Sequence, residues 1–212
     1  MALSFPLSLN QFFKDLGIVS ATFDIMDTRS GMMTGGGDVM SASTGPALWH
    51  GSISVKPMHW KNRIGLETKA NLLKTAGASF KLWHPEQRWP AAYDDSSVLD
   101  GSAITIASVS TDNRELTMSG VPVGYQFTSG DAIGFTYGSN PTRYAYHRVL
   151  ENSATATVEV QPPIRAGFAV GISVDLVQPV LVAKIVPNSI RPFTIGTSYG
   201  EGFSFDWSQT LR

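Results

Sequence analysis

The amino-acid sequence predicts a mainly β protein with one α-helix in its N-terminal half. Three observations support this fold class. Short alternating apolar and polar runs, rich in β-branched and aromatic residues, recur roughly every ten residues in the second half of the chain. Clusters of Gly, Pro, Asn, Asp and Ser separate these runs. Residues 59–76 form the one long segment that combines good helix formers with the absence of proline.

The predicted strands begin before the helix and continue close to the C-terminal end of the sequence. They cover residues 47–55, 78–83, 102–109, 132–137, 143–150, 154–160, 170–177, 180–186 and 202–207. Short strands with this spacing and punctuation are typical of a sandwich or a barrel. Residues 89–97, which contain proline and two adjacent aspartates, are interpreted as a linker before the strands of the second half.

The predicted helix at 59–76 is amphipathic at 100° per residue. One arc holds Leu66, Ala70, Leu72, Leu73 and Ala76, and the opposite arc holds Lys61, Arg63, Glu67, Thr68, Asn71 and Lys74. Trp60 and Ile64 lie among the polar residues, so they either pack under a neighbouring loop or contact another chain. Gly77 is predicted to end the helix in a left-handed conformation.

Residues 28–43 contain four glycines and three methionines without a strong period. This composition predicts a long flexible loop or arm. Long loops of this kind in compact domains usually serve a function.

Composition narrows the classes of function. Only 16% of the residues are charged, the net charge is −1, and cysteine is absent. Without a basic stripe we expect no sequence-specific binding to nucleic acid. No run of 18 apolar residues occurs, so we expect no membrane partner, and the first ten residues lack the pattern of a signal peptide.

Charge is distributed unevenly along the chain. Residues 56–88 contain seven basic and two acidic side chains, whereas residues 91–142 contain six acidic side chains and one arginine. These segments are either two separate solvated surfaces or surfaces that face each other, within one chain or between subunits. Complementary surfaces of this kind determine register more than they add affinity.

The sequence does not match the residue patterns typical of catalytic, cofactor-binding or metal-binding sites. The four histidines lack zinc-site spacing, and the glycines at 35–37 are not followed by the lysine of a phosphate-binding loop. The aspartates at 94, 95 and 100 are interpreted as solvated turn residues. Residues 196–200 match G-x-S-x-G, but a predicted strand and no histidine follow them. We therefore expect no enzyme, no cofactor and no metal site.

Sparse charge instead favours a subunit of an assembly, because the cores of protein interfaces are depleted in Lys, Glu and Asp. Our candidates for contacts between subunits are Met32, Met33 and Met40 in the arm, together with Trp60 and Ile64 on the helix.

Six sequence blocks, taken in order, resemble a known family. They are LWHG at 48–51, SGDAIGF at 129–135, YHRV at 146–149, VEVQPPIR at 158–165, VDLVQPV at 174–180 and FSFDWSQ at 203–209. In this order the blocks are similar to distal-tail-protein-like virion components of long-tailed (siphovirus-type) bacteriophages and gene transfer agents. The resemblance extends from about residue 21 to 209.

The resemblance implies a structural virion protein that forms a ring, usually a homohexamer, between the tail tube and the distal hub or baseplate. Its partners would be further copies of itself, the tail tube protein and the hub or baseplate proteins. Its location would be the virion tail, assembled in the bacterial host cytoplasm. Residues 1–92 and 178–212 would form a ring domain, a tail-tube-like β-sandwich with one flanking helix, and residues 93–177 an inserted all-β domain, a small barrel or sandwich.

A carbohydrate-binding β-sandwich module is the alternative interpretation. Five tryptophans and six tyrosines are enough to supply platforms on which sugars stack. Against this alternative, Trp49, Trp83 and Trp207 lie in predicted strands, where a place in the core is the more common role for tryptophan.

Overall fold

The computed structural model describes residues 3–211 and is mainly β. These residues contain seventeen strands, one α-helix and two short 3-10 turns. The strands are β1 Ile18–Ala21, β2 Asp24–Ile25, β3 Arg29–Met33, β4 Val39–Ser43, β5 Trp49–Val55, β6 Met58–His59, β7 Phe80–Leu82, β8 Thr105–Val109, β9 Glu115–Ser119, β10 Ala132–Tyr137, β11 Arg143–Val149, β12 Thr157–Gln161, β13 Val174–Asp175, β14 Leu181–Ile185, β15 Thr194–Ile195, β16 Tyr199–Glu201 and β17 Ser204–Gln209. The helix is α1 Trp60–Leu72, and the 3-10 turns are Phe13–Asp15 and Ser97–Leu99.

The first sheet is antiparallel and joins the two ends of the described chain. Its order is β1-β5-β17-β14-β7, with β2 also paired to β5. At its centre Phe205 of β17 lies opposite Ile53 of β5. Leu66 and Ala70 of α1, and Leu73 directly after it, are buried in the same hydrophobic cluster as these strands. The helix therefore flanks this sheet through Leu66 and Ala70 of the predicted apolar arc, whereas Leu72 is half-buried and Ala76 is exposed.

The second sheet closes into a small barrel. Its order is β13-β10-β11-β12-β9-β8. The two ends of this order meet, because Ile106 N donates to the carbonyl of Ile172 at 2.9 Å and Val174 N donates to the carbonyl of Ile104 at 2.9 Å. The interior is filled by alternate side chains of the strands, as in other small barrels.

Contacts across the junction connect the barrel to the first sheet. Trp49 Nε1 of β5 donates to the carbonyl of Tyr146 of β11 at 2.8 Å, and the two rings meet edge to face. Lys81 Nζ donates to the hydroxyl of Tyr144 at 2.6 Å. Tyr146 is buried within the hydrophobic cluster of the first sheet. An apolar ring and two hydrogen bonds thus join the sheets here.

The helix is shorter than predicted. It begins at Trp60 and ends at Leu72 rather than at residue 76, because the next residues turn more tightly: Lys74 N donates to the carbonyl of Asn71 and Thr75 N to that of Leu72. Gly77 does adopt the predicted left-handed conformation, with φ of +85°, but it lies five residues after the last helical residue, Leu72. There it reverses the chain into β7.

Each predicted strand segment contains an observed strand, but bounds differ and the short strands β1, β2, β6, β15 and β16 are not predicted. The prediction for residues 170–177 is wrong outside Val174–Asp175, because Val170 and Gly171 form a turn. Strand β9 is not predicted by the sequence pattern, although Leu116 and Met118 alternate into the barrel core. The strand predicted at 132–137 coincides with β10.

Candidate functional site

Residues 28–43, predicted to be a flexible loop or arm, fold into a hairpin, so the loop prediction is wrong in this part. Strands β3 and β4 pair in continuous register from Arg29 opposite Ser43 to Met33 opposite Val39. The chain turns where Gly37 N donates to the carbonyl of Thr34 at 3.0 Å. Methionines and small residues carry no clear polar alternation, so the sequence pattern hides this pairing.

The hairpin pairs with no other strand within the described part of the chain, and both of its faces are exposed. Met32 lies opposite Met40, and Met33 lies opposite Val39 on the other face. The exposed fractions of these four side chains run from 67% to 75%. A two-stranded hairpin alone is marginally stable in water, and methionine adapts to irregular apolar surfaces. The hairpin tip is therefore well suited to enter a partner's apolar surface.

An ion pair fixes the base of this hairpin. Asp27 Oδ1 accepts from the backbone N of Arg29 at 3.0 Å and from its Nε at 2.9 Å, and Asp27 Oδ2 accepts from Nη2 at 2.8 Å. Hydrogen bonds from Arg29 hold the pKa of the Asp27 carboxyl well below its usual range. The charged pair thus lies at the base of the hairpin, whereas the apolar residues lie near its tip.

A second exposed apolar surface lies where α1 begins. Trp60 and Ile64, one helical turn apart, are 47% and 50% exposed. The His59 ring lies 5.8 Å from Trp60 and 5.7 Å from Tyr199 of β16, so it contacts both of these exposed rings. Packing under a neighbouring loop is one of the two interpretations of Trp60 and Ile64. About half of each residue remains exposed to solvent, so such packing does not account for their position.

The β15–β16 strands and α1 hold this surface together. Tyr199 pairs with His59 in the small sheet β15-β16-β6, and Trp60 N donates to the carbonyl of Ser198 at 3.2 Å. A Cβ on Gly200 would lie 2.7 Å from Cδ of Arg63, so glycine lets the helix approach the strand closely. Arg63, predicted on the polar arc, is buried by this approach.

The five candidate contact residues therefore lie on two elements. Met32, Met33 and Met40 belong to the hairpin, whereas Trp60 and Ile64 belong to α1. The sequence analysis missed Val39, which faces Met33, and Tyr199, which extends the helix surface. Val39 and Met40 are adjacent apolar residues without polar alternation, so no sequence pattern marks Val39 as part of a strand.

The structure places His147 in the barrel core and the turn of the G-x-S-x-G segment between two strands. His147 is buried in the barrel, where its Nδ1 lies 2.6 Å from the carbonyl of Pro162 and its ring stacks on Phe135. Burial lowers the pKa of His147 to about 4. Ser198 lies in the turn between β15 and β16, so a strand follows it where a nucleophile elbow requires a helix. Among residues 3–211, no three His, Cys, Asp or Glu side chains gather as a metal ion would require.

A scan against protein-family models and a search of curated proteins both find no match to this chain. The class that the fold defines is thus a mainly β protein with one flanking helix and curled sheets. No helix in the described range 3–211 has the length and hydropathy needed to cross a membrane.

Proposed function

We propose that the protein is a structural subunit of a phage tail, forming a ring of about six copies between the tail tube and the distal hub or baseplate. The observation that supports assembly is the uncovered hairpin β3–β4, which exposes apolar side chains on both faces. The support for a tail component is the order of the six sequence blocks. In this proposal the protein acts in the virion tail, and its partners are further copies, the tube protein and the hub proteins.

Assembly would use the two exposed surfaces. Covering Met32, Met33 and Met40 removes apolar area from water, which favours association by about 25 cal/mol per Å² before the cost of ordering. Trp60 and Tyr199 offer large amphipathic rings, the kind enriched at interfaces. A contact between two different surfaces of identical subunits closes into a ring if its rotation permits.

The experiment is to measure the mass of the purified protein by light scattering after size exclusion, with negative-stain images of the same peak. We expect a closed ring in the native protein. Replacing Met32, Met33 and Met40 together by serine is expected to prevent its formation and leave a folded monomer. The matched control replaces Val123 and Val170, which are exposed outside the hairpin, by serine and keeps the ring. A native protein that stays monomeric, alone and with tube and hub proteins, contradicts the proposal.

A carbohydrate-binding module is the second candidate, and the cluster of Trp60 and Tyr199 around His59 is the observation that favours it. Exposed aromatic rings such as Trp60 and Tyr199 suit stacking against sugar rings. The same preparation tested on a glycan array separates the candidates. Binding by a monomer that is lost in both Trp60→Ala and Tyr199→Ala favours the module, whereas a ring without glycan binding favours the tail subunit.

A further inference from the structure

Lysines from three separate parts of the chain converge on one groove beside the start of α1. The groove has a volume of about 610 Å³. Its charged lining consists of Lys14, Lys56, Lys61, Lys69 and Asp15. Only Lys69 has a carboxylate partner there: its Nζ lies 2.6 Å from Asp15 Oδ2. Lys14, Lys56 and Lys61 form no salt bridge within residues 3–211, so the groove keeps an excess of positive charge.

The opposite charge lies on an exposed loop attached to the barrel. Asp94, Asp95 and Asp100 are exposed, and none forms a salt bridge in the described range. The loop is held in place by Tyr93, whose ring stacks on Tyr125 at 5.1 Å and whose hydroxyl accepts from the backbone N of Gln126 at 2.9 Å. The acidic side chains are thus presented on a fixed support.

The basic groove and the acidic loop lie on different units of the molecule. The groove is built from the Phe13–Asp15 turn, the residues directly after β5 and one side of α1 from Lys61 to Lys69, all beside the first sheet and its helix. The loop is hydrogen-bonded to the barrel, since Ala91 N donates to Asp131 Oδ1 at 2.7 Å. No salt bridge joins the basic segment 56–88 to the acidic segment 91–142 in the part of the chain that the structure describes.

We propose that the basic groove of one copy binds the acidic loop of the next copy, head to tail. Charge complementarity selects this occupant, because the same chain carries both surfaces, of opposite sign, and no salt bridge within the described residues neutralises Lys14, Lys56, Lys61 or the three aspartates. Exposed ion pairs contribute little singly, whereas several facing charges orient subunits and exclude wrong pairings. A contact between two different surfaces closes into a ring or continues as a filament. The inference rests on the proposed homo-oligomeric function and names the contact that sets its register.

The test exchanges the two charges. The variant Lys14→Glu with Lys61→Glu makes the groove acidic, and the variant Asp94→Lys with Asp100→Lys makes the loop basic. Each variant alone sets like charges against each other, so the concentration needed for assembly is expected to rise at least about tenfold. Mixed in equal amounts, the two variants again present opposite charges at every contact. The mixture is therefore expected to assemble like the native protein, with the variants alternating.

Control variants carry the same charge changes outside both surfaces. Lys74→Glu with Lys184→Glu and Glu115→Lys with Glu151→Lys are expected to assemble as the native protein does. Urea unfolding of every variant, as monomer, checks that the substitutions leave the fold intact. High salt is expected to weaken the native assembly, because about 1 M salt screens charges beyond roughly 3 Å.

The outcomes separate the two proposals. If the native protein forms a ring but each charge variant also assembles alone, the proposed contact is wrong and the proposed ring is unaffected. The same holds if the native ring forms but the mixed variants do not recover assembly. A native protein that stays monomeric at every concentration overturns both. Recovery of assembly only in the mixture, as a ring rather than as a two-fold dimer that exchanges the same groove and loop contacts, supports the head-to-tail contact.

Discussion

The hairpins β3–β4 and β10–β11 share a backbone plan but differ completely in burial. Both are antiparallel pairs in continuous register. All ten strand residues of β3–β4 are exposed, whereas five of the six residues of β10 are buried. Strand β10 is covered because it pairs with β11 and β13 and faces the barrel core. Apolar residues stabilise the fold in β10–β11, whereas in β3–β4 they remain available to a partner.

The largest contrast is expected from truncating one apolar side chain in each hairpin. Ile133 of β10 is fully buried, so Ile133→Ala removes core contacts and leaves a cavity. We expect a loss of about 2–5 kcal/mol in the free energy of unfolding. Met32→Ala in β3 is expected to change it by less than about 0.5 kcal/mol. Urea titration of both monomeric variants measures this. Equal losses contradict the different burial of the hairpins.

A second contrast concerns pH. Burial lowers the pKa of His147 in β11 to about 4, against 6.5 for a histidine in the unfolded chain. The unfolded chain binds the proton first, so stability falls as pH falls from about 6.5 to 4, on the order of 3 kcal/mol in all. At the hairpin base, Asp27 has a lowered pKa, so its small surface contribution is lost only at more acidic pH.

Urea unfolding of native protein and His147→Asn between pH 4 and 7 isolates the histidine. The asparagine keeps a donor for the Pro162 carbonyl but does not titrate, so the difference between the two curves is expected to narrow as pH falls. Comparing the two proteins also cancels Asp131, whose pKa is raised by burial and which acts with opposite sign. Parallel curves across this range contradict a buried neutral histidine.

The smallest contrast uses matched glycines. A Cβ on Gly134 of β10 would lie 2.7 Å from Cβ of Pro179, so Gly134→Ala is expected to cost about 1–3 kcal/mol through overpacking. A Cβ on Gly31 of β3 would meet nothing closer than 3.8 Å, so Gly31→Ala is expected to be neutral or slightly stabilising. Thermal unfolding of the two variants side by side measures the difference. A loss of stability in Gly31→Ala would indicate that another part of the protein packs against β3.

The same contrast explains what sequence patterns can predict here. Strand β10 coincides with its prediction because Ile133 and Phe135 have strong strand preference and turn residues bound the run. Strands β3 and β4 escape prediction because exposure on both faces removes the polar alternation that marks a half-buried strand. The apolar face of α1 is predictable from Leu66 and Ala70.

The candidate surfaces are harder to predict than the strands. The exposure of Trp60 follows from its place among polar residues, but Tyr199 joins it only through pairing with His59 across the small sheet. The basic groove combines Lys14, Lys56 and Lys61 from separate segments. Tertiary pairing alone brings such residues together, and a single sequence carries no local signal of it.

The order of strands in the first sheet has a consequence for synthesis on the ribosome. Strand β5 pairs with β17, in which Phe205 lies opposite Ile53. All strands of the barrel lie between these two strands in the chain. The barrel segment is complete, and able to close between Ile106 and Ile172, before β17 has been made. We therefore expect vectorial folding, with the barrel formed first and the β17-facing edge of β5 left unpaired on the nascent chain until β17 emerges.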